Sequence, residues 1–176
     1  AERQVEDRAN AAIVVTGSTP KGEHLLLDAY SEKDTFLACI RNICDRVAKY
    51  SPRRVYVEQA GQQAAFVELL RQAGKDANLA MSLEVVKPGI RAKEARILTL
   101  EPYFQRGQIF LGKSAAFHQF KQQFSQFPRA ARLDLLDALA YGPQSWRKQP
   151  TGRLDHSKRQ QQELDAYYQK RGLQRR

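Results

Sequence analysis

The stretch Arg53-Arg54-Val55-Tyr56-Val57-Glu58-Gln59 decides the fold. Val55 and Val57 point to one side of a pleated strand, Tyr56 and Glu58 to the other, and Pro52 breaks the chain just before them. The strand ends on a single carboxylate. Gln59-Ala60-Gly61 then turns the chain into a helical pattern, which sets Glu58 at the carboxyl edge of the strand, where open α/β sheets gather their ligands. A strand-end glutamate that only reaches solvent is the competing reading.

Upstream, Ala11 to Thr16 reads as a buried strand, residues 17–22 as a turn and His24 to Tyr30 as a second strand, together a β-hairpin. Ser31 with Asp34 resembles a capping box, and Phe36, Leu37, Ile40, Ile43, Cys44 and Val47 recur at helical spacing up to Lys49. Downstream, a helix from about Gln62 to Ala73 carries Phe66, Val67 and Leu70 on one stripe, with Gly74 as its stop. Ser82 to Val86 is a strand, and Ala92 to Phe104 is a helix that Pro102 kinks, closed by Gly107. Gln108 to Leu111 is extended. Ser114 to Phe127 is amphipathic through Phe117, Phe120, Phe124 and Phe127, a stripe that reads as core in preference to base stacking, with His118 off it at the surface. After Pro128, Arg132 to Tyr141 restarts a helix. This order predicts an α/β layer with a mixed sheet flanked by helices.

Of the 176 residues, 29 are Lys or Arg and 19 Asp or Glu, a formal charge of +10. Nine basic and three acidic residues fall between Arg147 and Arg176, so that tail carries +6 of the excess, and its few apolar residues suit a flexible or partner-ordered segment. The expected division is a domain over 1–146 and a basic tail over 147–176. A balance of this size suits a polyanionic partner, although solubility alone would also explain it. Cys39 and Cys44 read as small apolar packers; no CxxC pair is present, and a reduced intracellular setting is expected. No apolar run is long enough to span a membrane and no signal-peptide pattern opens the chain. Neither GxGxxG nor GxxxxGK[ST] occurs, so a nucleotide-binding or ATPase role for this portion has no support.

In Arg132-Leu133-Asp134-Leu135-Leu136-Asp137-Ala138-Leu139-Ala140-Tyr141 the aspartates are three apart, hence neighbours on one helical face, while Leu135, Leu136 and Leu139 anchor it. Paired carboxylates repel, and a divalent cation would remove that cost; a solvated acidic face is the alternative. Glu58 with Asp134 and Asp137, in a chain without thiolate clusters, suggests a hard-oxygen site for Mg2+ or Mn2+. Two such ions about 3.5 to 4 Å apart can activate water and stabilise a leaving oxygen in phosphodiester hydrolysis. Lys87, Arg91, Lys93 and Arg96, between a strand and a helix, would neutralise backbone phosphates without reading sequence, or would simply be solvated.

Asp7-Arg8-Ala9-Asn10-Ala11-Ala12-Ile13-Val14-Val15, VYVEQAG at 55–61, the K-x-x-R helix leading to PYFQRGQIFL at 102–111, and RLDLLDALAYG at 132–142 occur in a familiar order. Over roughly residues 5 to 146 the chain resembles the C-terminal nuclease domain of the large terminase subunit of tailed bacteriophages. The resemblance implies an RNase H-like fold and a metal-dependent endonuclease that cuts concatemeric double-stranded DNA during packaging. It implies two Mg2+ or Mn2+ ions, an N-terminal ATPase domain in the parent chain, partnership with portal and small terminase subunit, no membrane, and the cytoplasm of an infected bacterium. Glu58 resembles the second acid of the family's triad, Asp134 the acid of the final helix, and Asp137 the last Asp of the family's Asp-Asp-x-x-Asp-Ala pattern.

Two departures stand out. Leu133 occupies the position of the first Asp of that pattern. Members also place a catalytic Asp on an opening strand, and the chain begins at Ala1 as though after it, so the first strand and its acid are expected in the parent protein; Asp7 is the substitute candidate. A resolvase or transposase core, and a noncatalytic basic module that binds DNA or a motor, are the competing readings.

Overall fold

The computed structural model describes residues 9–58, 64–87, 92–112 and 117–146. Asp7, Arg91 and the tail from Arg147 lie outside the described residues. The expected hairpin is present. Strands β1 (Ala9–Ser18) and β2 (His24–Asp34) pair antiparallel with Ile13 opposite Tyr30, and β2 pairs parallel with β5 (Ile109–Leu111). A second hydrogen-bonded group holds β3 (Val55–Glu58) parallel to β4 (Leu83–Val86), with Glu58 opposite Val86. The strand orders are β1-β2-β5 and β3-β4, so β1 and β3 each keep one edge without a hydrogen-bonded neighbour among the described residues.

Helix α1 (Phe36–Tyr50) links the hairpin to β3, and α2 (Ala64–Asp76) links β3 to β4. Then come α3 (Lys93–Ile97), a 3-10 turn over Leu98–Leu100, α4 (Glu101–Gln105), α5 (His118–Gln126), α6 (Asp134–Ala140) and α7 (Gly142–Trp146). Alternation along β1 splits the core in two. Ala12 and Val14 pack against a cluster that includes Leu26, Ile97, Leu100, Phe120, Leu135 and Leu136, whereas Ile13 between them packs against Ile40, Ile43, Val47, Val57, Val67 and Leu70. The strand layer is therefore sandwiched, with α1 and α2 on one face and α3, α5 and α6 on the other, the mixed α/β architecture of an RNase H-like fold.

Helix α6 is only seven residues long, too short to be stable alone, so tertiary burial must hold it. Leu135, Leu136 and Leu139 are at most 2% exposed. Each contributes about 1.5–3 kcal/mol by leaving water, and Leu136→Ala would cost about 2–5 kcal/mol once its cavity is counted.

Several local expectations need correction. Ser31 and Asp34 belong to β2 and form no capping box; Thr35 is the N-cap of α1, its hydroxyl accepting from the Ala38 amide at 3.3 Å. Gly74 does not stop α2, which runs to Asp76 and reverses at Asn78 with φ of 52°. Glycine at 74 gives Met81 room, because a Cβ there would lie 3.1 Å from Met81 Cε and push that side chain aside by a few tenths of an ångström. The helix expected over 92–104 is divided into α3, the 3-10 turn and α4, with Pro102 in the first turn of α4, where its missing N–H costs nothing. In the phenylalanine stripe, Phe117 and Phe120 are buried, whereas Phe124 is 47% exposed and lies against Phe104.

Candidate active site

Glu58 is the last residue of β3 and is exposed, while Val57 before it is buried and fixes the strand end. Asp134 and Asp137 open α6, where carboxylates favour the positive end of the helix. Facing them, Lys93 and Arg96 stand three apart on α3. Lys93 Nζ donates to Asp134 Oδ1 at 2.5 Å; Arg96 Nε and Nη2 donate to Asp137 Oδ1 and Oδ2 at 2.9 and 2.8 Å. Two i,i+3 pairs of opposite sign thus meet rung against rung and dock α3 on α6. The Arg96–Asp137 rung is the drier, its side chains 17% and 11% exposed against 35% and 21% for Lys93–Asp134.

Tyr141, at the carboxyl end of α6, joins these groups to Glu58. Burial, the Glu58 carboxylate and then Asp137 push its phenol up to about 12, although the guanidinium of Arg96 opposes them. Its hydroxyl is buried beside the Glu58 carboxylate without a hydrogen bond of good geometry, while the Arg96 guanidinium lies 5.6 Å from its ring centroid. Hydrogen bonding to Asp137 is the main reason that the Arg96 pKa rises, with Tyr141 and Glu58 adding to the effect. Glu58 and Asp137, far apart in sequence, therefore act on the same phenol and the same guanidinium.

Of the other residues anticipated from sequence, Lys87 is exposed just past β4, and Arg91 and Asp7 lie outside the described residues. Lys93 and Arg96 hold the two aspartates. Tyr141 was not singled out from the sequence, although its place four residues after Asp137 puts it on the same face of the helix.

The donors gathered here are carboxylate and phenol oxygens, which suit hard cations such as Mg2+ or Mn2+ in preference to thiolate-seeking metals. Among the described residues no three of His, Cys, Asp and Glu are close enough to hold an ion. What suits such an ion by donor chemistry is the carboxylates of Glu58, Asp134 and Asp137.

Fold and acidic face together define an RNase H-like domain of the nuclease type. Residues 4–144 match the terminase RNaseH-like domain, and the chain belongs to that family. Comparison with curated proteins gave no match.

Proposed function

We propose that this domain hydrolyses double-stranded DNA during genome packaging, cutting concatemers with the help of divalent metal. The observation that supports the reading is the seating of Asp134 and Asp137, at the start of α6, against Lys93 and Arg96 of α3, with Tyr141 at the end of the same helix beside Glu58. Glu58 and Asp137 would hold a Mg2+ or Mn2+ ion, and Asp134 a second one or the first from its far side. When bound, such ions polarise a phosphodiester and stabilise the leaving oxygen. Lys93 and Arg96 orient the two aspartates and limit their mutual repulsion. The Tyr141 hydroxyl is placed to steady Glu58. Water is the nucleophile, and Lys87 with Arg91 would meet backbone phosphates. An ATPase domain in the parent chain would drive the packaging that this cutting serves. Portal, small terminase subunit and host cytoplasm follow from the same reading, and the basic tail at 147–176 would contact DNA or the portal.

The decisive experiment measures Mn2+-dependent nicking of a supercoiled plasmid by the parent protein and by its Glu58→Gln and Asp137→Asn variants. Both substitutions should abolish cutting with the fold intact. Cutting at the parental rate by either variant would reject the assignment.

A noncatalytic DNA-holding module is the second reading, favoured by the neutralisation of Asp134 and Asp137 by Lys93 and Arg96. Salt-sensitive DNA binding, together with no cleavage by the parent protein under any divalent metal, would favour it.

A further inference from the structure

A cleft of about 250 Å3 is lined by Gln119, Gln122, Gln123 and Gln126 of α5, with Ser31, Arg132 and two alanines completing the wall. Gln119, Gln122 and Gln126 are exposed along one side of α5 at spacings of three and four. Gln123 is buried at 8% exposure, and its side-chain oxygen accepts from the Leu135 amide at 2.9 Å. That bond ties the cleft to the first turn of α6, and Arg132 precedes Asp134 by two residues. The hydroxyl of Ser31, a residue 5% exposed, lines the cleft without a hydrogen-bond partner. A buried hydroxyl left in that state implies a ligand or solvent partner.

The chemistry of the wall excludes most occupants. Small-molecule pockets are typically larger, about 300–1,000 Å3, whereas this open cleft mixes amides, a hydroxyl and a guanidinium with the methyl groups of Ala130 and Ala131. Its charge is one-sided. Between Glu101 and Asp134 the chain has no acidic residue and five basic ones, Arg106, Lys113, Lys121, Arg129 and Arg132. Neutral amides can donate to phosphate and sugar oxygens and can also accept from base edges, and the guanidinium of Arg132, in a lining that includes no carboxylate, favours a polyanion.

We infer that the glutamine-lined cleft between α5 and the start of α6 is a binding site for one backbone of a DNA duplex and leads it toward Asp134. The inference deepens the DNA-cutting reading and rests on it for the choice of polyanion. Arg132 provides the ionic contact. Gln119, Gln122 and Gln126 follow the strand by uncharged hydrogen bonds, independent of sequence.

The test is fluorescence anisotropy of a labelled blunt duplex with the full chain in EDTA, titrated at several salt concentrations. Binding is thereby separated from cutting: a protein that binds here yet never cleaves would sink the nuclease reading and leave the cleft standing. Combined Gln119→Ala, Gln122→Ala and Gln126→Ala should weaken duplex binding about tenfold or more with the salt slope unchanged, since each lost neutral hydrogen bond costs a factor of about two to ten. Arg132→Gln should lower the slope by about one, as for a single lost phosphate contact. Gln122→Glu, similar in size but anionic, should weaken binding more than Gln122→Ala. Parental affinity in the triple variant and in Gln122→Glu would overturn the assignment, as would a loss confined to a single-stranded probe.

Discussion

Arg96 holds Asp137 with both prongs of its guanidinium, at 2.9 and 2.8 Å, across the seam between α3 and α6. A fork meeting a carboxylate in this way fixes orientation as well as distance, which an ammonium cannot do. Arg96→Lys, which keeps the charge, should therefore lower unfolding free energy by about 1–2 kcal/mol. Arg96→Met leaves Asp137 unpaired in a half-dry setting and should cost about 3 kcal/mol or more. Lys93→Met, on the wetter rung, should cost less than about 1 kcal/mol. Urea denaturation of the three variants checks the ranking, and an equal loss in all of them would contradict it.

Tyr141 buries its hydroxyl beside the Glu58 carboxylate, at a geometry too poor to satisfy it fully. Removing that oxygen in Tyr141→Phe should leave stability unchanged or raise it by up to about 1 kcal/mol. If the phenol steadies Glu58 as proposed, the same variant should cut plasmid about 10- to 100-fold more slowly, as for outer groups around a metal site. Unfolding curves and nicking rates measured on one preparation would separate the two effects; a variant both destabilised and fully active would oppose them.

His24 should make stability depend on pH. It stacks on Trp146 with ring centroids 3.7 Å apart, its Nδ1 lies 2.9 Å from the Ser18 hydroxyl, and burial lowers its pKa to about 4. The depressed value means that the unfolded chain binds the proton first. Stability from this group is full above the ordinary histidine pKa of about 6.5 and is lost as pH falls toward 4, on the order of 3 kcal/mol in all. His24→Phe, which keeps the stack, should flatten the profile relative to the parent in that window. Parallel profiles would show that His24 is not the source.

Gln123 substitutes for a missing cap. Leu133, at the N-cap position of α6, makes no side-chain capping bond, and the Gln123 amide from α5 takes the Leu135 N–H instead. Gln123→Leu should cost about 1–2 kcal/mol and speed hydrogen exchange at the Leu135 amide. Unaltered protection there would show that the bond is dispensable.

Much of this arrangement can be read from the chain. Alternation in Val55-Tyr56-Val57-Glu58 placed the acid at a strand end, and the leucines of α6 were recognised as its anchor because burial and helical period agree there. Lys93 and Arg96 were harder. A K-x-x-R pattern looks the same whether it faces phosphate or carboxylate, and only the docking of α3 against α6 shows that the cations meet Asp134 and Asp137. Ser31 and Asp34 had the spacing of a capping box, but pairing with β1 extended β2 through both and passed the cap to Thr35. At Gly74 what the glycine accommodates is the proximity of Met81, a contact between segments that no local pattern carries.

Among the described residues one edge each of β1 and β3 has no hydrogen-bonded neighbour, which has a consequence for anyone handling the domain by itself. Amides and carbonyls left open along a pleated rim invite another molecule to add its own strand. Concentrated preparations are then expected to zip together side by side, and a lysine or proline set on the β1 rim should keep them dispersed.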